Sequence, residues 1–116
     1  INIVEIQNGD YSSLAGTWRN AQGLTIVFDK NGLVSEHSEI FTVKPEKDGT
    51  VLRLGVRAKS GMGGHFILII PAGAEAPKVN NGDGTTKPAQ SDNSRDRLYA
   101  GQDYSGKPEH FLYKVD

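Results

Sequence analysis

Residues 51–70, VLRLGVRAKSGMGGHFILII, decide the fold because they hold two strand patterns separated by a turn. In the first pattern apolar residues alternate with arginines: Leu52, Leu54, Val56 and Ala58 fall on one face, Arg53 and Arg57 on the other. This alternation predicts an antiparallel strand with one buried face. The second pattern, HFILII at 65–70, predicts a central strand covered on both faces, and Pro71 ends it. The glycine-rich stretch between them predicts a flexible hairpin turn.

Shorter strand patterns flank this hairpin. The run LTIVFD at 24–29 alternates between apolar and mixed positions, which predicts a strand with one wet face. Residues 33–43 can alternate between the two faces of a strand in two ways, and each way places a polar side chain on the inner face. We therefore expect a bulge, or a bend from one sheet region to another. Two closing strands are predicted around 97–101 and 109–115.

Two segments lack a strand pattern. Residues 1–14, which space Ile3 and Ile6 three apart, predict one or two short helical turns. Residues 72–95 are rich in proline, glycine and polar side chains, and they predict a long flexible surface loop or an internal linker. Together these patterns predict one all-β domain over 1–116, a small antiparallel meander barrel or sandwich with a short N-terminal helical segment.

Length, charge and cysteine content exclude several functions. A chain of 116 residues is the size of one domain with one modest core. Thirteen basic against fourteen acidic residues leave a formal charge of -1, so we expect no nucleic-acid partner. The absence of cysteine removes disulfides, thiolate metal sites and cysteine nucleophiles. No apolar run is long enough to cross a membrane, and we expect a monomer.

The titratable residues do not combine into a recognisable catalytic or metal site. His37, His65 and His110 fall on three different strand candidates, without metal-ligand spacing. Glu36 and His37 would point to opposite faces of a regular strand, so they cannot act together as acid and base unless a bulge intervenes. We therefore predict no catalytic residue, no metal and no cofactor, and we expect the chain not to be an enzyme.

A polar loop at 80–87, NNGDGTTK, offers oxygen atoms that could ring a calcium ion. These are on Asn80, Asn81, Asp83 and Thr85. Only one of them is a carboxylate, and there is no glutamate in the last position of a calcium loop. An ordinary polar loop is the favoured interpretation.

Nine aromatic residues leave two options for the barrel interior: side chains fill it, or one small ligand occupies it. The hydroxyls of Tyr99 and Tyr113 need polar partners, which favours positions at a pocket mouth or the barrel rim. With Trp18, these two tyrosines are our candidate ligand-binding residues. A filled interior is the favoured interpretation. The space that decides between the two options lies beneath Trp18, between the faces that carry Leu52, Leu54 and Phe66.

The stretch LAGTW at 14–18, followed by LTIVFDKNGLV at 24–34, resembles the opening of lipocalin-like (calycin) barrels. In those barrels a first-strand tryptophan closes one end, and an arginine from a late strand packs across it. The resemblance implies structural roles for Gly16, Trp18 and Arg97, with Arg95 as the alternative arginine. It implies a lipocalin-like meander barrel.

A wider resemblance connects the chain to an uncharacterised domain of cell-surface lipoproteins from Gram-positive bacteria of the streptococcal, enterococcal and lactobacillus type. It is carried by IQNGDYSSLAGTW at 6–18, FDKNG at 28–32, SDNSRDRLYAGQ at 91–102 and HFLYKVD at the end. The resemblance implies an extracellular domain, held at the cell surface by a lipid anchor on a longer parent chain. Its function would be non-catalytic: binding a small apolar or amphipathic ligand or, with a solid core, contacting a cell-envelope component as an interaction or spacer module.

Overall fold

Eight strands form one antiparallel sheet that curls into a nearly closed barrel, as expected from the sequence. The computed structural model describes residues 1–116. Its strands are β1 (Gly16–Arg19), β2 (Thr25–Asp29), β3 (Gly32–Leu33), β4 (Ser38–Glu46), β5 (Val51–Ala58), β6 (Gly64–Ile70), β7 (Val79–Asn80), β8 (Thr86–Lys87), β9 (Arg97–Gly101) and β10 (Phe111–Lys114). Strands β7 and β8 form a separate two-stranded sheet.

The order of strands in the large sheet is β3-β2-β1-β10-β9-β6-β5-β4. The last strand therefore pairs with the first, with Trp18 opposite Lys114 and Arg19 opposite Tyr113. The one break in the ring, which we term the seam, lies between β3 and β4, although these strands are consecutive in the chain. The seam leaves one edge of the long strand β4 without a ladder.

The hairpin of β5 and β6 forms as predicted. Val56 pairs with His65 and Leu52 with Ile69, so the alternating face of β5 points into the barrel together with Ile67 and Ile69. Leu68, on the other face of β6, is buried outside the barrel. Strand β6 is thus covered on both faces, because the barrel interior lies on one side and the segment that follows it covers the other.

A bulge in β4 resolves the mixed pattern of residues 33–43. The register against β5 shifts between Ile40 and Thr42, and this shift leaves Phe41 as the extra residue. Ile40 and Val43 both pack on the interior cluster, although they are three apart, because the bulge reverses the alternation. The prediction of a bulge is confirmed.

The N-terminal segment covers one end of the barrel. The helix α1 (Ile3–Gln7) is capped by the Asn2 side chain, which accepts a hydrogen bond from the Glu5 backbone N–H. A 3-10 turn at Ser12–Leu14 follows. Ile6 and Leu14 are fully buried against the strands. The structure contains no helix whose length and apolar content would allow it to cross a membrane.

The chain packs into two apolar clusters, one on each side of the sheet. The interior cluster lies inside the barrel and is composed of Ile6, Tyr11, Leu14, Trp18, Ile26, Phe28, Leu52, Leu54, Val56, Ile67, Ile69, Leu98 and Leu112. The outer cluster lies on the outside of β5, β6, β9 and β10 and is composed of Val51, Leu68, Ile70, Ala76, Tyr99 and Phe111. Residues 71–95 contain the β7–β8 hairpin, and Ala76 of this covering segment packs in the outer cluster.

Candidate functional site

A pocket of about 430 Å³ opens where β9 ends and β6 begins, and we term it the mouth pocket. Ile26, Ile67 and Ala100 contribute side chains that also belong to or pack on the interior cluster. Leu24, Val27 and Val34 line it too, and all three are exposed to solvent. The remaining lining residues are Thr25, Leu33, Ser35, Ser38, His65 and Gly101.

The polar groups of the mouth pocket are few, and none belongs to Lys, Arg, Asp or Glu. His65 points inward because it shares the inner face of β6 with Ile67 and Ile69. Burial lowers the pKa of the His65 imidazole below its ordinary value of 6.5, so the ring is neutral at pH 7 and above. Neither this ring nor the Ser38 hydroxyl forms a hydrogen bond within the protein, and both groups are open to solvent, since no buried side-chain nitrogen or oxygen lacks a partner. The pocket thus combines an apolar lining with two polar groups that lack partners.

The space beneath Trp18 is filled by side chains. Trp18 is 2% exposed, and its indole N–H donates to the Leu14 carbonyl at 3.0 Å. Leu52 and Leu54 are fully buried beside it in the interior cluster. Phe66 lies on the opposite face of the sheet, where it stacks on Tyr99 at 6.0 Å between ring centroids. These residues therefore do not enclose a ligand cavity.

Tyr99 and Tyr113 lie outside the barrel rather than at the mouth pocket. Tyr99 is buried in the outer cluster, and its hydroxyl donates to the Asp103 carbonyl at 2.9 Å. The Tyr113 hydroxyl accepts a hydrogen bond from the Asp92 backbone N–H at 2.9 Å. The structure thus separates both tyrosines from Trp18, and it satisfies their hydroxyls through neighbouring loops.

Arg97 is fully buried, but it does not lie across Trp18. Its guanidinium points outward into the covering segment and donates five hydrogen bonds of 2.6–3.2 Å. The acceptors are the carbonyls of Pro71, Ala74 and Arg95 and the side chains of Ser91 and Asn93. The alternative, Arg95, lies over the ring of Tyr113 at 4.2 Å. Neither arginine therefore takes the position implied by the lipocalin-like resemblance, because both project from the outer side of the sheet.

Gly16 begins β1 in a backbone conformation that favours glycine, with a φ of +136°. A Cβ atom here would meet the Lys114 side chain and come within 2.8 Å of the Asp116 carboxylate, but these are the mobile ends of two exposed side chains. The Asp116 carboxylate accepts a hydrogen bond from the Thr17 backbone N–H. The requirement for glycine at this position is therefore one of backbone conformation.

Ser105 and His110, five positions apart in the chain, lie in contact in the connection between β9 and β10. The Ser105 hydroxyl hydrogen-bonds to Nδ1 of His110, and it also accepts from the Lys107 backbone N–H. The Tyr99 hydroxyl lies 3.3 Å away and contacts the same Ser105 oxygen. Because these bonds hold the loop between β9 and β10, the hydroxyl is part of a turn. Strand periodicity gave no signal for this contact, since Ser105 lies outside any strand.

The other histidines and the polar loop stay apart. Glu36 and His37 lie in the connection between β3 and β4 and are exposed to solvent. In the 80–87 loop, Asp83 accepts hydrogen bonds from Thr85, and Asn80 accepts from the Gly82 N–H. These side chains therefore stabilise a β7–β8 turn. No three His, Asp or Glu side chains gather into a group that could hold a metal ion.

Fold and pocket together define a small antiparallel β-barrel domain with an apolar pocket at one end. The chain belongs to a protein family described as "Domain of unknown function (DUF6287)", whose model matches residues 1–116. No curated protein and no solved structure shows significant similarity to it.

Proposed function

We propose that this chain is a non-catalytic binding domain that takes a small apolar or amphipathic ligand in the mouth pocket. The observation that carries the proposal is the pocket itself. Its volume of about 430 Å³ falls within the range of small-molecule sites, and such sites combine apolar walls with a few polar groups. The mouth pocket has this composition, with His65 and Ser38 as the polar groups.

The exposed side chains at the pocket support the same proposal. Leu24 and Val34 are 45% and 51% exposed, yet both line the mouth pocket. Scattered exposed apolar residues are normal, but a group of them around one concave site favours a binding surface. A bound apolar molecule would cover these side chains.

A non-catalytic role is favoured because the contact between a serine hydroxyl and a histidine, the pair closest to a nucleophile and its base, stabilises a turn. The Ser105 hydroxyl, which has the best-placed histidine partner, also accepts a hydrogen bond from the Lys107 N–H and so serves the local turn. The mouth pocket contains one titratable residue, His65, and no second acid or base beside it.

The proposal includes a cellular location. We place the chain outside the cell, as a monomeric domain of a Gram-positive surface lipoprotein that a lipid anchor on the parent chain holds to the membrane. This part rests on the sequence resemblance of the stretches at 6–18 and 91–102. Labelling intact cells with a membrane-impermeant reagent, followed by detection of the labelled protein, tests it. Protection of the protein until the cells are broken would contradict the surface location.

A second function, a solid interaction or spacer module, is favoured by a different observation. Strand β4 has nine residues and an edge without a ladder at the seam, and Phe41 on it is 52% exposed. Unpaired strand edges can bind an extended segment of another protein. The bulge at Phe41 and Pro45 near the end of β4 oppose this pairing, so we place the mouth pocket first.

Binding of the uncharged dye N-phenyl-1-naphthylamine, which fluoresces in apolar surroundings, tests the pocket directly. We expect saturable binding that Val34→Lys weakens at least tenfold, because the lysine places a charge beside the apolar lining. Val115→Lys is the matched control, since Val115 is also 51% exposed but does not line the pocket. Equal binding by both variants would move the site elsewhere, and absence of saturable binding would reject the carrier function.

A further inference from the structure

We infer that the mouth pocket selects uncharged ligands that carry a hydroxyl group, which His65 and Ser38 hold by hydrogen bonds. This inference rests on the proposed function, because it names the class of ligand for the same pocket. It goes further by assigning specificity to two residues and by excluding ionised amphiphiles such as fatty-acid anions and alkylamines as preferred ligands.

First, the side chains that line the mouth pocket carry no fixed charge. The twelve lining residues include no Lys, Arg, Asp or Glu. Two cations outside the lining already donate to it, Arg19 Nε to the Thr25 hydroxyl at 3.0 Å and Lys59 Nζ to the Ser35 carbonyl at 3.3 Å. A charged group that enters loses water and finds no opposite charge among the lining side chains themselves. An uncharged group loses less, and hydrogen bonds can replace its contacts with water.

The second step is the chemistry of the two unpartnered groups. A neutral imidazole has one N–H donor and one nitrogen acceptor, and a serine hydroxyl can both donate and accept. A ligand hydroxyl has the same two capacities, so it can pair with either group in either direction. A carboxylate only accepts hydrogen bonds and an ammonium only donates them. Each can therefore pair with only the donors or only the acceptors of His65 and Ser38.

The third step is the absence of competing partners inside the protein. The Ser35 hydroxyl, which also lines the pocket, accepts hydrogen bonds from the backbone N–H groups of His37 and Ser38. The Thr25 hydroxyl accepts from Arg19 and donates to the Gly23 carbonyl. His65 and Ser38 are therefore the polar side chains of the lining with neither donor nor acceptor engaged, whereas Ser35 keeps only its O–H for a ligand.

A matched series of ten-carbon compounds tests the inference by displacement of N-phenyl-1-naphthylamine at pH 8. We expect 1-decanol to displace the dye at concentrations at least tenfold lower than decanoate or decylamine. Because an alcohol also partitions more readily into any apolar site, variants of the two polar residues provide the decisive measurement. His65→Phe keeps a ring of similar size and removes its hydrogen bonds, and Ser38→Ala removes the hydroxyl.

Each variant should lower the affinity for 1-decanol, expressed relative to its own affinity for the dye, roughly threefold to tenfold, the effect of one hydrogen bond. His37→Phe is the control, because His37 is exposed and lies outside the pocket. An unchanged ratio of decanol to dye affinity in both variants, or decanoate binding as tightly as decanol, would overturn the inference while dye binding upholds the pocket. Failure of the dye and all three compounds to bind would overturn the proposed function as well.

Discussion

The interior cluster and the outer cluster bury apolar side chains on the two sides of the same strands, but different parts of the chain build them. The interior cluster is formed mainly by alternate residues of consecutive strands, such as Leu52, Leu54 and Val56 of β5. The outer cluster needs residues 71–95, which have no apolar periodicity. Arg97 and two tyrosine hydroxyls hold this covering segment through its carbonyl and N–H groups. Burial on one side is thus driven by apolar pattern, and on the other it also depends on polar anchors.

The largest expected loss of stability comes from removing a large side chain from the interior cluster. Trp18→Ala should lower the free energy of unfolding by about 3–5 kcal/mol, because it removes a large buried side chain and leaves a cavity. Urea denaturation monitored by circular dichroism measures the change. Arg19→Ala, an exposed neighbour on the same strand, is the control and should cost less than about 1 kcal/mol. Similar losses for the two variants would contradict the interior position of Trp18.

Removing the polar anchor of the outer cluster should have a smaller and more local effect. Arg97→Met replaces a buried guanidinium by a side chain that cannot donate, and about 2–3 kcal/mol should be lost because five acceptors lose their donor. Amide hydrogen exchange should accelerate in residues 71–95 and stay slow in β5. Arg95→Ala, which removes an exposed arginine over Tyr113, should cost about 0.5–1 kcal/mol. Equal acceleration in β5 would show that the two clusters unfold as one unit.

The smallest expected effect concerns a single hydroxyl of the covering contact. The Tyr104 hydroxyl donates to the Pro77 carbonyl at 2.6 Å, so Tyr104→Phe should cost about 1 kcal/mol at pH 7. Burial raises the pKa of Tyr104 from 10.0 to about 12. A phenol with a higher pKa in the folded chain contributes fully below pH 10, and this contribution is lost as the pH rises toward 12. The variant should therefore lose less stability than the wild type between pH 10 and 12, and parallel pH curves would argue against a buried Tyr104 hydroxyl.

The sequence predicted the barrel well because its strands follow a period of two. The β5–β6 hairpin, the bulge in β4 and the helical turns before β1 all have a local pattern that a reader of the chain can recognise. The β1–β10 pairing is different, because it joins Trp18 to Lys114 across nearly the whole chain and has no local signal.

The mouth pocket was harder to predict from the sequence, because its lining also joins parts of the chain that are far apart. The lining of the mouth pocket comes from β2, the β3–β4 connection, β6 and β9, and no stretch of sequence contains more than a few of its members. His65 is recognisable as a histidine in an apolar strand, but its inward direction and its place in one pocket with Ser38 depend on the curled sheet. The positions of Tyr99 and Tyr113 do not follow from the sequence, because a tyrosine hydroxyl can be satisfied by a loop on the outside as readily as at a pocket mouth.

The pairing of the last strand with the first also governs when the barrel can form during synthesis. Strands β5, β6 and β9 can each pair with a strand already made, because β4, β5 and β6 respectively lie beside them in the sheet. The β1–β3 unit attaches to the rest of the sheet through β10, so its place in the ring cannot be completed until residues 111–114 have left the ribosome. Until then Trp18 and Phe28 lack much of the cluster that buries them, and the growing chain carries this apolar surface exposed while the strands between β3 and β10 are made.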